Sequence, residues 1–196
     1  MNSIDIINNL HNDVSSSYAD NGIGKVLYEY VIDKKPNIVI ELGTLHGYSA
    51  ICIGLALRDN GFGSLTCYDL WEDYEFTNTS MDNTKSVIDK FNLSDLVELK
   101  KQDAIEWCKN PEDFDLMHVD ISNDGDKIEK IVELLTANIN NGSHILFEGG
   151  TEERDKDSWI EKYGFKPITS VRDKIKYEII VSEWPGLSLV TSESLK

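Results

Sequence analysis

Acidic residues close or follow five apolar runs in turn, at Glu41, Asp69, Asp103, Asp120 and Glu148. A carboxylate offers several acceptor sites to paired hydroxyl donors and oxygen ligands to a hard cation such as Mg²⁺. The first acid lies in VIELGTLHGYSA, residues 39–50, where Gly43 and Gly47 follow it. Glycine allows turn dihedrals that are costly for other residues and lets backbone amides approach a bound group. Ser49 stands where it can cap the next helix or donate to a carboxylate at the positive end of the helix dipole. A tight strand-to-helix turn with a serine cap is the alternative reading. The stretch is neither the dinucleotide fingerprint G-x-G-x-x-G nor a phosphate loop ending in Gly-Lys-Ser/Thr.

Imidazole is suited to general base work, and two histidines stand near these acids. His46 lies within the glycine stretch and is either a base or a variable loop side chain. His118 precedes Asp120 by two residues, on the same side of a strand pleat, where it orients an acceptor or the aspartate, or is a hydrogen-bonded core residue. His144 opens the fifth run and points to the opposite edge of the sheet.

The elements that position these residues alternate. Residues 24–35 read as an amphipathic helix stopped by Pro36-Asn37, followed by a strand at 38–40 and an apolar helix at 48–61. Strand 64–70, helix 84–92, a strand within 95–104 and a short helix at 104–110 come next. Strand 114–120, helix 126–140 closed by Asn141-Gly142, and strand 143–150 complete the series. Unbroken apolar runs at 38–40, 116–119 and 145–147 indicate strands covered on both faces, hence a parallel sheet sandwiched by helices. Residues 156–165 form a last helix. The segments 166–171 and 175–184, joined by Arg172-Asp173-Lys174, leave no room for a crossover and predict an antiparallel hairpin. Residues 183–196 carry no signal and read as a tail. Parallel strands share one carboxyl rim, where open α/β sheets bind ligands.

The chain has 196 residues, which suits a single domain over 1–196. Lys plus Arg number 19 against 35 Asp plus Glu, a formal charge of −16, which argues against nucleic acid or an anionic membrane as partner. No signal peptide or membrane span is apparent, so a cytoplasmic location is expected. Cys52, Cys67 and Cys108 fall in apolar or amphipathic stretches and suit buried free thiols.

The segment ELGTLHGYSA resembles the first motif of class I S-adenosylmethionine (SAM) dependent methyltransferases. Its Gly-Thr-x-x-Gly-Tyr-Ser form is similar to that of small-molecule O-methyltransferases such as catechol O-methyltransferase, and His-x-Asp at 118–120 is similar to a bacterial branch acting on sugars and antibiotics. The resemblance runs from about Ile38 to Gly149 and implies an α/β, Rossmann-like, doubly wound seven-stranded sheet, parallel but for an antiparallel C-terminal strand. It implies SAM as cofactor. Glu41, Gly43, Thr44, Gly47, Tyr48 and Ser49 would surround its methionine part, Asp69 and Leu70 its ribose, and Gln102, Asp103 and Ala104 its adenine; Trp71 and Trp107 either stack on the ring or, more often for such residues, pack in core or rim. Asp120 would touch the cofactor and the acceptor. Catalytic candidates are Asp120, His118 and His46.

Metal-dependent members imply a divalent cation on Asp120 and Glu148. This chain departs from them, with Asn123 where they place a lysine and Glu148-Gly149 where they place Asp-Asn or Asp-Asp. Asp124 and Asp126 alternatively belong to a polar loop capping the following helix. Residues 1–23, the loop after Asp120 and residues 149–158 are expected to cover the acceptor, with Tyr18, Arg154 and Lys156 favouring a small hydroxylated or charged molecule; WEDYEF at 71–76 either lines the site or is surface. The expected function is methyl transfer, most simply to a hydroxyl oxygen. The alternatives are cyclisation or elimination of SAM on the same fold, or a nonenzymatic nucleotide-binding or interaction module. A homodimer is compatible with the sequence.

Overall fold

The computed structural model describes residues 2–74, 78–122, 124–136 and 142–194. The chain forms two compact units, residues 1–103 and 104–196.

In the first unit, α1 (Ser3–Asn9) starts at Asn2, whose side chain accepts from the Asp5 N–H. Then follow α2 (Ile23–Lys34), β1 (Ile38–Leu42), α3 (Tyr48–Asn60), β2 (Ser64–Asp69), α4 (Met81–Lys90) and β3 (Val97–Lys101). β2 pairs in parallel with β1 on one side and with β3 on the other. Val39, Ile40 and Leu42 are wholly buried. Every residue of α3 from Tyr48 to Leu57 is buried too, which explains why its sequence is apolar all round. Gly61 ends α3 in the left-handed conformation, its N–H bonding Leu57 O and Arg58 O.

α1 packs on α2 and α3. Asp59, at the C-terminal end of α3, accepts from Ser3 Oγ at 2.5 Å and from the Tyr28 hydroxyl at 2.8 Å. This places α1 at the opposite end of α3 from the glycine loop. Tyr18 is 1% exposed and belongs to the core. Tyr18, expected to favour the acceptor, is instead held in the core by burial.

The second unit holds α5 (Ala104–Lys109), β4 (Leu116–Val119), α6 (Gly125–Thr136), β5 (His144–Glu148), α7 (Glu152–Asp155), α8 (Ser158–Tyr163), β6 (Glu178–Val181) and β7 (Leu187–Thr191). β4 and β5 are parallel; β7 is antiparallel to both β5 and β6. The expected helix end at Asn141 lies outside the described residues. The seven strands follow the order β3-β2-β1-β4-β5-β7-β6, the mostly parallel α/β sheet expected.

The terminal hairpin forms from other residues than expected. Ile168–Val171 is a 3₁₀ turn, not a strand, because the Asp155 carboxylate accepts from the Ile168 and Thr169 N–H groups and from Thr169 Oγ1. The true partner of β6 is β7, inside the supposed tail 183–196. Gly186, at φ 85°, turns the chain, and its carbonyl accepts from Gly149 N at 3.0 Å. The described cysteines are buried free thiols. Among the described residues, no helix is long and apolar enough to cross a membrane.

Candidate functional site

The loop after β1 is held from several sides. Gly43 N donates to Tyr68 O at 2.8 Å and Gly47 N to Thr44 O at 2.8 Å. Gly47 has φ 86°, and a Cβ there would lie 3.2 Å from Thr84 Cγ2, so both dihedral and space call for glycine. Leu45 adopts φ 46° without being glycine, at a cost of about 1–2 kcal/mol. Its backbone bonds offset that cost. Asp69 Oδ2 accepts from Thr44 N at 2.7 Å and Leu45 N at 2.9 Å, while Asp69 Oδ1 accepts from Trp71 N at 2.7 Å. Leu45 O accepts from Trp71 Nε1 at 3.2 Å and from Thr84 Oγ1 at 2.5 Å. The Leu45 side chain stays 44% exposed.

Asp69 therefore shapes the loop first. Its two oxygens offer about four acceptor directions, of which backbone amides take three. Trp71, expected as a stacking candidate, is fully buried with its indole N–H turned to Leu45 and Thr84. Trp107 is 3% exposed and packs near Phe114, the ring centroids 6.4 Å apart. Neither presents a ring face for stacking; burial makes both packing residues.

Gly47 occupies the N-cap of α3, and no side-chain cap bond is made there among the described residues. Ser49, 5% exposed, is thus not the cap. Beside the glycine turn, the first amides of α3 suit an anionic group at the positive end of the helix dipole. Glu41 is wholly buried at the end of β1. Tyr48 is turned away, against Gly24 of α2, where a Cβ would lie 2.8 Å from Tyr48 Cε1. Burial, then Cys52 and Asp20, hold its hydroxyl above the usual tyrosine range. Burial and then Glu41 likewise raise the Cys67 thiol, an inert neighbour of the loop. His46 is half-buried in the loop.

At the end of β3, Gln102 N donates to Asp69 O at 3.0 Å, which sets Gln102 and the half-buried Asp103 beside the end of β2. Leu70 is half-buried, its carbonyl taking Asp73 N at 3.0 Å. Ala104 opens α5 and is 8% exposed. In the WEDYEF run, Glu72 bonds Lys101, and its Oε2 accepts from Met81 N at 3.1 Å; residues 75–77 lie outside the described residues. The Lys101 bond pulls the Glu72 pKa down to about 2.

In the second unit, His118 is wholly buried in β4, whereas Asp120 is half-buried just past it. Asp124 behaves as a helix cap. Its Oδ1 accepts from Asp126 N at 3.1 Å, and its carbonyl takes Ile128 N at 3.0 Å. Asp126 pairs with Lys166 at 2.8 Å. Lys127 of α6 reaches Ser122 Oγ with its Nζ at 3.1 Å and lies 5.6 Å from the Phe165 ring centroid. A lysine seven residues beyond Asp120, on a helix, carries no spacing signal toward Ser122.

The cation expectation was tested on its donor set. Glu148 Oε1 accepts from Arg154 Nε at 3.2 Å and Nη2 at 3.1 Å, and Arg154 Nη1 donates to Asp157 Oδ2 at 3.0 Å. Glu148 and Arg154 are 5% and 8% exposed. A dication at Glu148 would face a fixed guanidinium in a poorly solvated place, so Glu148 does not fit the metal role. Among the described residues no group of three or more His, Cys, Asp or Glu could hold a metal ion. Arg154, expected to face an acceptor, is committed to this pair.

A methyltransferase domain family model matches residues 40–148, and the chain belongs to that family. No curated protein matches. Among solved structures, the O-methyltransferase TomG from Streptomyces achromogenes, involved in tomaymycin synthesis and in complex with SAM, superposes with a TM-score of 0.66 at 16% identity, over 96% of this chain and 89% of that one. The O-methyltransferase from Bacillus cereus in complex with S-adenosylhomocysteine (SAH) gives 0.63 at 18% identity, over 96% and 90%. The SAH-bound methyltransferase PaMTH1 from Podospora anserina gives 0.64 at 17%, over 86% and 77%. The fold is that of the class I methyltransferases.

Proposed function

We propose that this chain transfers a methyl group from SAM to a hydroxyl oxygen of a small polar acceptor. The observation that carries the reading is the glycine turn at Gly43 and Gly47 leading into the start of α3, its backbone held in place by Asp69. Family membership supports methyl transfer, and the SAM and SAH in similar folds support the cofactor.

In this reading the α3 amides and Ser49 take the cofactor carboxylate, Glu41 lies by its methionine part, and Gly43 and Gly47 allow close approach. The remaining acceptor direction of Asp69 receives one ribose hydroxyl, and Gln102, Asp103 and Ala104 flank the adenine. SAM supplies a sulfonium-activated methyl. The acceptor oxygen forms the new C–O bond as the C–S bond breaks, sulfur keeps that electron pair, and the hydroxyl proton leaves to a base. Asp120, half-buried past β4, orients that hydroxyl and takes the proton, with the buried His118 behind it in the strand. His46 remains a second candidate base on the loop.

Incubation with SAM and a panel of hydroxylated acceptors, followed by mass spectrometry, tests the proposal. SAH together with a product heavier by one methylene supports it. Methylthioadenosine formed from SAM alone favours cyclisation or elimination chemistry, and an absence of any SAM binding by calorimetry overturns the reading.

A further inference from the structure

Helix α4 is far from the glycine loop in sequence yet is bonded to it. Thr84, 1% exposed, donates from Oγ1 to Leu45 O at 2.5 Å and accepts from Trp71 Nε1 at 3.1 Å. The same indole N–H also reaches Leu45 O at 3.2 Å. Thr84 Cγ2 meanwhile stands 3.2 Å from where a Gly47 Cβ would be, so the residue limits both how the loop is bonded and how far it can swing. Both peptide groups of Leu45 are thereby held, the amide by Asp69 and the carbonyl by Thr84 and Trp71.

Helix α4 is itself anchored. Ser80 Oγ accepts from Asn83 N at 3.2 Å, and Glu72, tied to Lys101 of β3, accepts from Met81 N. The route from β3 through Glu72 and α4 to the loop is continuous and lies within the first unit.

We infer that Thr84 is a positioning residue for the loop, its hydroxyl linking the Trp71 indole to the Leu45 carbonyl and keeping residues 43–47 in their ligand-ready conformation. The link to affinity rests on the reading that this loop binds SAM; the link to loop shape does not. A threonine-to-valine change preserves the volume and removes both the donor and the acceptor, whereas serine keeps them.

Hydrogen exchange of residues 43–47 in T84V, T84S and the unaltered protein is the direct test, with far-UV circular dichroism and thermal melting to establish folding. Exchange in 43–47 should quicken about tenfold in T84V and stay at the parental rate in T84S, as loss of one buried hydrogen bond implies. If T84V does not fold, T84A takes its place with the same expectation. SAH affinity by calorimetry should fall about tenfold in T84V and recover in T84S, with KM for SAM rising while kcat at saturation is largely kept. Parental exchange rates in a folded T84V overturn the inference, as does faster exchange with unchanged SAH affinity. Failure of the unaltered protein to bind SAH would instead overturn the SAM reading, and the exchange rates would still decide the role of Thr84.

Discussion

The rim formed by the ends of β1 to β3 and the rim formed by the ends of β4 and β5 treat their polar groups differently. On the first, acid and hydroxyl side chains hold backbone: Asp69 takes three amides, Thr84 and Trp71 take the Leu45 carbonyl, and α3 starts at a glycine N-cap. On the second, charges hold charges: Glu148 and Arg154 form a buried pair that the half-buried Asp157 extends, and Asp126 pairs with Lys166. The first arrangement fixes the shape of a loop. The second neutralises its acids with Arg154 and Lys166.

The largest expected effect would break the second rim. Arg154→Met leaves Glu148 as a buried carboxylate facing a lost cation and should destabilise the fold by about 3–5 kcal/mol, measured by urea unfolding; a loss under about 1 kcal/mol would mean the pair is not a buried unit. Asp120→Ala should lower turnover by about 10²-fold or more while SAH affinity is kept, which steady-state kinetics and calorimetry separate. Undiminished turnover would remove Asp120 from the proton path.

On the first rim, Asp69→Ala strips three amides of their acceptor and should weaken SAH binding by about 10- to 100-fold, with faster amide exchange at Thr44 and Leu45. Asp69→Asn, which keeps one carboxamide oxygen, should fall between. Weaker binding with unaltered exchange would mean that Asp69 serves the ligand and not the loop. Gly47→Ala meets a left-handed φ and a close Thr84 methyl, and should cost about 1–2 kcal/mol by thermal melting.

The smallest effect concerns pH. Glu72 has its pKa lowered to about 2 from an ordinary 4.5, through its bond to Lys101. A carboxylate with a depressed folded pKa contributes fully above its unfolded value and loses that contribution as pH falls through the folded one. The start of α4 should therefore be unchanged between pH 7 and 5 and loosen only between about 4.5 and 2, as amide exchange at Met81 would register. Loosening already at pH 6 would mean another group controls it.

Much of the fold was legible because its signals are local. The apolar runs at 116–119 and 145–147, and Val39 and Ile40 of the first, became buried strand residues, while Ile38 stays exposed; the glycine stretch became the turn into α3. The terminal hairpin was misplaced because 166–171 has the look of a strand until Asp155 captures its amides, while Leu187–Thr191 becomes a strand through pairing with β5 and β6. Glu148 was legible as a rim acid, but its partner Arg154 was not recognisable as a buried cation.

Residue types alone determined that this chain makes an alternating α/β sheet with a glycine turn after its first strand, because periodicity and backbone freedom act over a few neighbouring residues. Tertiary structure alone decided that Asp69, Trp71 and Thr84 grip one loop and that Arg154 occupies Glu148, because a hydrogen bond or ion pair depends on which distant atoms folding brings within about 3 Å.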